Sequence, residues 1–338
     1  VNVIVRCVLL LLPCLLCQPT AGQPFQLPTP NRAIFTPGAE EKYFAPTPGR
    51  TWTAGTFGCV RSDGHQLHEG IDILWTRRDK KGEPTDPVTA AAEGTVAYVN
   101  RKSSLSNYGN YIILRHRIDG LNLCTLYAHL ASIQDGLNKG DKVRAGEALG
   151  VLGRSTNTKT RIAAERAHLH FEIALVASEN YATWHESNLK GLRNDHGNWN
   201  GRNLLGLDPR AVLLRQRADG EKFSLPQYLQ KQTELCRVLV KAADFPFARA
   251  HRALVSANPA VEREGVAAHE IMLNFNGVPC QIIPRAPSEV KDYTAKVHLL
   301  TVNEAEQRAH GCRKFLTTKG GKWELTAEAR QHLDLLFH

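Results

Sequence analysis

The sequence predicts a mainly antiparallel β domain followed by a smaller C-terminal α+β module. Short β-type runs at 94–99, 111–115, 123–127 and 169–175 recur between residues 51 and 177. The turn pairs Lys81-Gly82, Gly109-Asn110, Asp119-Gly120 and Lys139-Gly140 break those runs at hairpin-like intervals. Beyond Gly220 the pattern changes to apolar residues at helical spacing interspersed with further strands. A chain of 338 residues is long enough to bury two cores, and 42% hydrophobic with 22% charged residues is ordinary for a folded protein.

Taken in order, the first element is a leader. Residues 1–6 carry one basic charge, 8–16 are nearly all apolar, and 19–23 are mostly small. This is the layout of a secretory signal peptide over 1–22, too short and too interrupted by proline for a comfortable transmembrane helix. The expectation is therefore export, to the periplasm or the extracellular space. Cys17, which follows an apolar run, raises lipid anchoring as the lesser alternative, because Cys14-Leu15-Leu16 lacks the small residues such signals favour. No other stretch approaches a stable membrane span.

Residues 23–50 form a Pro-rich segment leading into the β domain, assigned to 51–215. Within it, 178–203 reads as a polar loop holding Trp184, His185, His196 and Trp199, and Leu207-Asp208-Pro209 restarts ordered structure. The C-terminal module is assigned to 220–338. It is expected to hold a helix over 225–242, strands over 269–275, 280–283 and 297–302, and a hairpin over 314–325 turning at Gly320-Gly321. Thr326 then N-caps a closing helix through Phe337.

Of eight cysteines, Cys59, Cys124, Cys236, Cys280 and Cys312 lie beyond the leader, with no C-x-x-C pair among them, which argues against a zinc knuckle. Export permits disulfides, and Cys280 with Cys312 is the pair to test first. The net charge of +9 suggests an acidic partner. The basic residues are scattered rather than clustered with aromatics, so an anionic cell envelope fits better than nucleic acid. The sequence carries no signal of oligomeric state.

The chemistry-bearing segments are H-E-G-I-D from His68 to Asp72, Y-A-H-L around His129, and H-L-H-F-E from His168. His168 and His170 lie two apart in a strand-like run, so both project to one face. His68 and Asp72 are four apart around Gly70. Either pair alone is weak, since polar pairs occur on many solvent-facing strands. Imidazole and carboxylate together suit zinc, whose catalytic sites use three protein ligands and leave a fourth position open.

The joint order resembles the lysostaphin/LytM-type zinc metallopeptidases: H-x-G-x-D, Gly-rich strands, Y-A-H-L, G-D-K-V-R-A-G-E-A-L-G, then H-L-H-F-E. The resemblance covers about residues 51–177 and implies a β-sheet domain with a substrate groove. It makes His68, Asp72 and His170 the zinc ligands, and His129 and His168 the catalytic pair that handles protons while zinc-activated water attacks the scissile amide. It implies an exported zinc endopeptidase acting on the peptide cross-bridges of bacterial peptidoglycan. Two alternatives are a secreted protease of Gly-rich proteins and a non-catalytic cell-wall-binding regulator, though degenerate relatives of the latter kind lose ligands that are intact here.

One departure is that some relatives place a tyrosine shortly before the first ligand, whereas this chain has none between Tyr43 and Tyr98. Of the other candidates, His65 and His116 read as loop and structural residues, and Glu172 as a partner orienting His170. Asn110 is weighed as a groove residue, Trp184 and Trp199 as a cleft wall. Asn31, upstream, is a candidate to block the metal site, as an asparagine does in latent relatives.

Overall fold

Alternation along one strand organises the β domain. In the computed structural model, which describes residues 24–338, the strand His168–Val176 is buried along its whole length. The expected signal peptide and Cys17 lie outside the described residues. Leu169, Phe171, Ile173 and Leu175 enter the main core on one face. Strand alternation turns His168, His170 and Glu172 to the other face, in line with Ala174 and Val176 of a second apolar cluster.

The strands are, in chain order, β1 (Gly58–Arg61), β2 (Gln66–His68), β3 (Ile71–Leu74), β4 (Pro87–Thr89), β5 (Gly94–Asn100), β6 (Tyr111–Ile118), β7 (Leu121–Ala128), β8 (Ser132–Ile133), β9 (Lys142–Val143), β10 (Ala148–Val151), β11 (His168–Val176) and β12 (Leu204–Leu207). The large sheet runs β12-β11-β7-β6-β5-β9, and β3 pairs with the first half of β11. β1 and β2 form a separate hairpin, and β4-β10-β8 a small flanking sheet. All of these pairings are antiparallel, as the alternation and turn pairs predict. The Pro-rich segment packs along this domain: Phe25, Tyr43 and Phe44 are buried, and Phe44 bridges Ile73.

The C-terminal module is a second antiparallel sheet built from β13 (Cys236–Val240), β14 (Ala268–Leu273), β15 (Pro279–Arg285) and β16 (Val297–Val302), in the order β15-β14-β13-β16. A hairpin, β17 (Leu316–Lys319) with β18 (Lys322–Leu325), turns at Gly320-Gly321, where both residues have positive φ. The Thr326 hydroxyl accepts from the Ala329 N–H to cap the closing helix Ala327–Leu336. The module packs against the β domain through one continuous apolar cluster. Asn276 Nδ2 donates to Gly206 O, and Trp184 Nε1 to Asp334, at 2.8 Å each. Among the described residues no helix is long and apolar enough to cross a membrane.

Three expectations are corrected. The polar loop at 178–203 contains the helix α1 (Tyr181–Asn188), because Tyr181, Trp184 and His185 form a buried stripe at helical spacing. The helix expected over 225–242 is interrupted after two ordered pieces begin around it: α2 (Pro209–Asp219) precedes it and α3 (Leu225–Gln230) stops early. Cys-Arg-Val-Leu-Val then forms β13, whose alternation and branched residues favour a strand.

The third correction is the disulfide. Cys312 pairs with Cys59, at a Cα separation of 5.5 Å, and not with Cys280. Cys280 lies inside the core, its thiol donating to Val278 O and pushed up to about 12 by burial. Among the described residues, Cys124 and Cys236 are likewise unpaired and buried. The bond ties the C-terminal module to β1, two residues from Arg61.

Candidate metal centre

His68 ends β2, Asp72 lies in β3 and His170 in β11, where Asp72 and His170 are direct cross-strand partners. Directly opposed residues share a face, so the register brings the two side chains together. His68 Nε2, Asp72 Oδ1 and His170 Nδ1 form a nearly equilateral triangle, with separations of 3.1, 3.0 and 3.1 Å. These residues also form the one metal-ligand cluster among the described residues, and all three are buried. A tetrahedral centre with bonds of about 2.0–2.1 Å spaces its ligands about 3.3 Å apart, so the triangle fits one face of a zinc shell.

The remaining ring atoms are committed elsewhere. His68 Nδ1–H donates to Thr56 O at 2.7 Å, and His170 Nε2–H donates to Glu172 Oε1 at 2.9 Å. When the ring is neutral, each donation leaves the other ring nitrogen with a lone pair directed at the triangle. Tyr108 donates to the same Glu172 oxygen at 2.6 Å, and its ring packs 5.4 Å from that of His170. Arg61 contacts Asp72 Oδ2 and donates to His68 Nε2 at 3.0 Å.

The catalytic candidates stand beside the triangle. His168 Nδ1–H donates to Arg166 O at 2.7 Å, and its Nε2 lies 3.5 Å from Asp72 Oδ1. His129 Nδ1–H donates to Ser155 O at 2.8 Å, and its ring sits 4.9 Å from that of His168 and 6.0 Å from that of His170. His129 adopts φ of +61°, a left-handed conformation uncommon outside glycine, where β7 turns out of the sheet. Gly109 permits this approach, since a Cβ there would stand 2.2 Å from Ser155 O, the carbonyl that holds His129. All five residues assigned from the sequence therefore converge.

Electrostatics follow from burial and crowding. Burial lowers the His129 pKa to about 3, aided by His168 and His170 nearby. Burial also lowers that of His168, against the pull of Asp72. Both rings are then neutral near pH 7, with Nε2 a proton acceptor. Burial alone would raise the Asp72 carboxyl, but the surrounding imidazoles hold it well below the usual range. Burial opposes charge on His170, yet Asp72 and Glu172 raise its pKa to about 10.

The other candidates separate. His65 is exposed, and His116 is buried between Glu93 O and the Thr125 hydroxyl. Asn31 braces the backbone, donating to Lys42 O and Leu74 O, and does not reach the triangle. Asn110 donates to Leu130 O, and its Oδ1 is buried without a partner among the described residues. Trp199 packs with Tyr98 and Tyr108 against the apolar cluster on the site's face of the sheet, and His196 pins the covering segment to Tyr98 at 2.9 Å. Sequence reading missed Arg61 and Tyr108. Tyr108 precedes Gly109-Asn110 in a turn read for its backbone and for Asn110, and Arg61 precedes His68 in a hairpin not recognised as one.

Residues 66–182 match the family model "Peptidase family M23". That segment, which is similar to M23-family peptidases, holds His68, Asp72, His129, His168 and His170. Among solved structures, a LytM protein of Ruminococcus gnavus is 25% identical, with 45% of this chain and 47% of that one covered and a TM-score of 0.30. The catalytic domain of EnpA from Enterococcus faecalis is 26% identical over 39% and 87%, with a TM-score of 0.28. The catalytic domain of lysostaphin from Staphylococcus simulans is 21% identical over 47% and 89%, with a TM-score of 0.29. The chain spans less than half the length of the Ruminococcus gnavus protein. No curated protein matches it.

Proposed function

We propose that the protein is an exported zinc endopeptidase that hydrolyses the peptide cross-links of bacterial peptidoglycan. The observation that carries this reading is the triangle of His68 Nε2, Asp72 Oδ1 and His170 Nδ1, whose separations suit one small divalent ion. Two imidazoles and one carboxylate leave a bound zinc net positive, a Lewis acid that polarises a peptide carbonyl and makes water nucleophilic at neutral pH.

His68, Asp72 and His170 hold the metal in this reading, and Glu172 with Tyr108 fixes the His170 ring. His168 takes the proton of the attacking water on Nε2, because its Nδ1 is engaged by Arg166 O. His168 then returns that proton to the departing amine, while His129, held by Ser155 O with Nε2 open, orients the attacking water by accepting its other hydrogen. The net charge of +9 supports attraction to an anionic wall.

The test is metal analysis with peptidoglycan digestion by the wild type, His168→Ala and His170→Ala. His168→Ala should keep zinc and lose roughly 10²–10⁴-fold in turnover; His170→Ala should lose both. Wild-type protein without zinc would point instead to a wall-binding regulator. Faster release from a Gly-rich protein than from peptidoglycan would point to a general secreted protease.

A further inference from the structure

Arg313 is a half-buried cation that forms no salt bridge among the described residues. It follows Cys312, whose disulfide to Cys59 anchors it beside the β1–β2 hairpin. Its guanidinium lies over the Phe315 ring at 4.8 Å, and its Nε is buried with no hydrogen-bond partner among the described residues. Burying a charge without such a partner is costly, so the group calls for an anion.

Arg313 faces a crevice of about 580 Å³ between the β domain and the C-terminal module. Arg202 and Gln331 line the same space, along with the carboxylates Glu69 and Glu328. Glu328 and Glu69 act on Arg313 only at a distance, and Arg202 repels it; with burial as the main cause, its pKa is lowered. The crevice lies beside the metal centre: Leu67 and Glu69, which line it, flank His68, and Glu69 is near enough to His68 and His170 to feel their charge. Leu204 and Gly206 of β12, which also line it, pair with Val176 and Ala174 on the face of β11 that carries His168 and His170.

We propose that this crevice is a carboxylate-binding subsite, in which Arg313, supported by Arg202, receives a free carboxylate of an acidic peptide substrate lying across the metal centre. The assignment rests on the peptidase reading and deepens it. Guanidinium groups bind carboxylates through paired N–H donors, and a side chain stacked on an aromatic ring keeps its edge free for that purpose.

The test uses the full zinc-loaded chain and two cross-linked peptides that differ only in bearing a free carboxylate or a carboxamide beside the scissile bond. The wild type should favour the carboxylate peptide by roughly 10- to 100-fold in kcat/KM, through KM. Arg313→Gln should raise KM for that peptide alone, with kcat unchanged. Arg202→Gln, at an exposed position, should act in the same direction more weakly. Calorimetric binding of both peptides to the protein as purified, with no turnover required, should show the same preference.

Equal binding of the two peptides by the wild type overturns the subsite, as does an intact preference in a folded Arg313→Gln. Preferential binding of the carboxylate peptide with no cleavage of either would leave the subsite standing and defeat the peptidase reading.

Discussion

Glu172→Gln should loosen the metal centre without unfolding it. A single Glu172 oxygen accepts from both His170 Nε2 at 2.9 Å and the Tyr108 hydroxyl at 2.6 Å. Replacing the carboxylate by an amide keeps the shape but removes the charge that makes His170 a stronger donor to metal. Partners of this kind are worth about 10- to 100-fold in metal affinity, or about 1.4–2.7 kcal/mol. Tyr108→Phe removes one charge-assisted bond, worth about 1.5–3 kcal/mol locally, of which only part reaches His170. Its expected loss is up to about 10-fold in affinity.

Because Tyr108 acts through Glu172, the double variant should bind zinc no more weakly than Glu172→Gln alone. Chelator-competition titrations at one pH give all four affinities. Wild-type affinity in Glu172→Gln, or losses that simply add in the double variant, would refute the relay.

Other consequences are as direct. Replacing Cys59 and Cys312 by Ser opens a link spanning 253 positions and should cost up to about 5 kcal/mol in urea unfolding; a loss below about 1 kcal/mol would mean that the cross-link adds little. A Cβ at Gly70 would stand 2.3 Å from Phe171 O and 2.8 Å from Glu172 Cγ, so Gly70→Ala should destabilise by about 1–3 kcal/mol and weaken zinc binding. Unchanged melting and affinity would show that the backbone yields there freely. Burial lowers His332 to about 4, so the folded state binds fewer protons than the unfolded chain between that value and about 6.5. Stability should therefore fall as pH drops through this window, by on the order of 3 kcal/mol from this residue. His332→Gln should flatten the slope measured by urea titration, and an unchanged slope would rule out the assignment.

The legible parts of the chain were those in which local chemistry and periodicity agree. Alternation over 168–176 gave both a strand and the face that His168 and His170 share, and Gly320-Gly321 with Thr326 marked the closing hairpin and helix. Less legible were features decided by tertiary contact. Nothing local to Cys59 or Cys312 indicates the other, because folding of the C-terminal module against β1 brings them together. Residues 236–240 could satisfy either period, and pairing with β14 and β16 settles the choice. Tyr108 and Arg61 gain their roles only once the β11 register places Glu172 and Asp72 within their reach.

X-ray absorption at the zinc edge of the purified protein probes the His68–Asp72–His170 assignment most directly. It should show only nitrogen and oxygen neighbours at about 2.0–2.1 Å, with outer scattering from two imidazole rings. A sulfur neighbour at about 2.3 Å, or the same spectrum after His170→Ala, would contradict it.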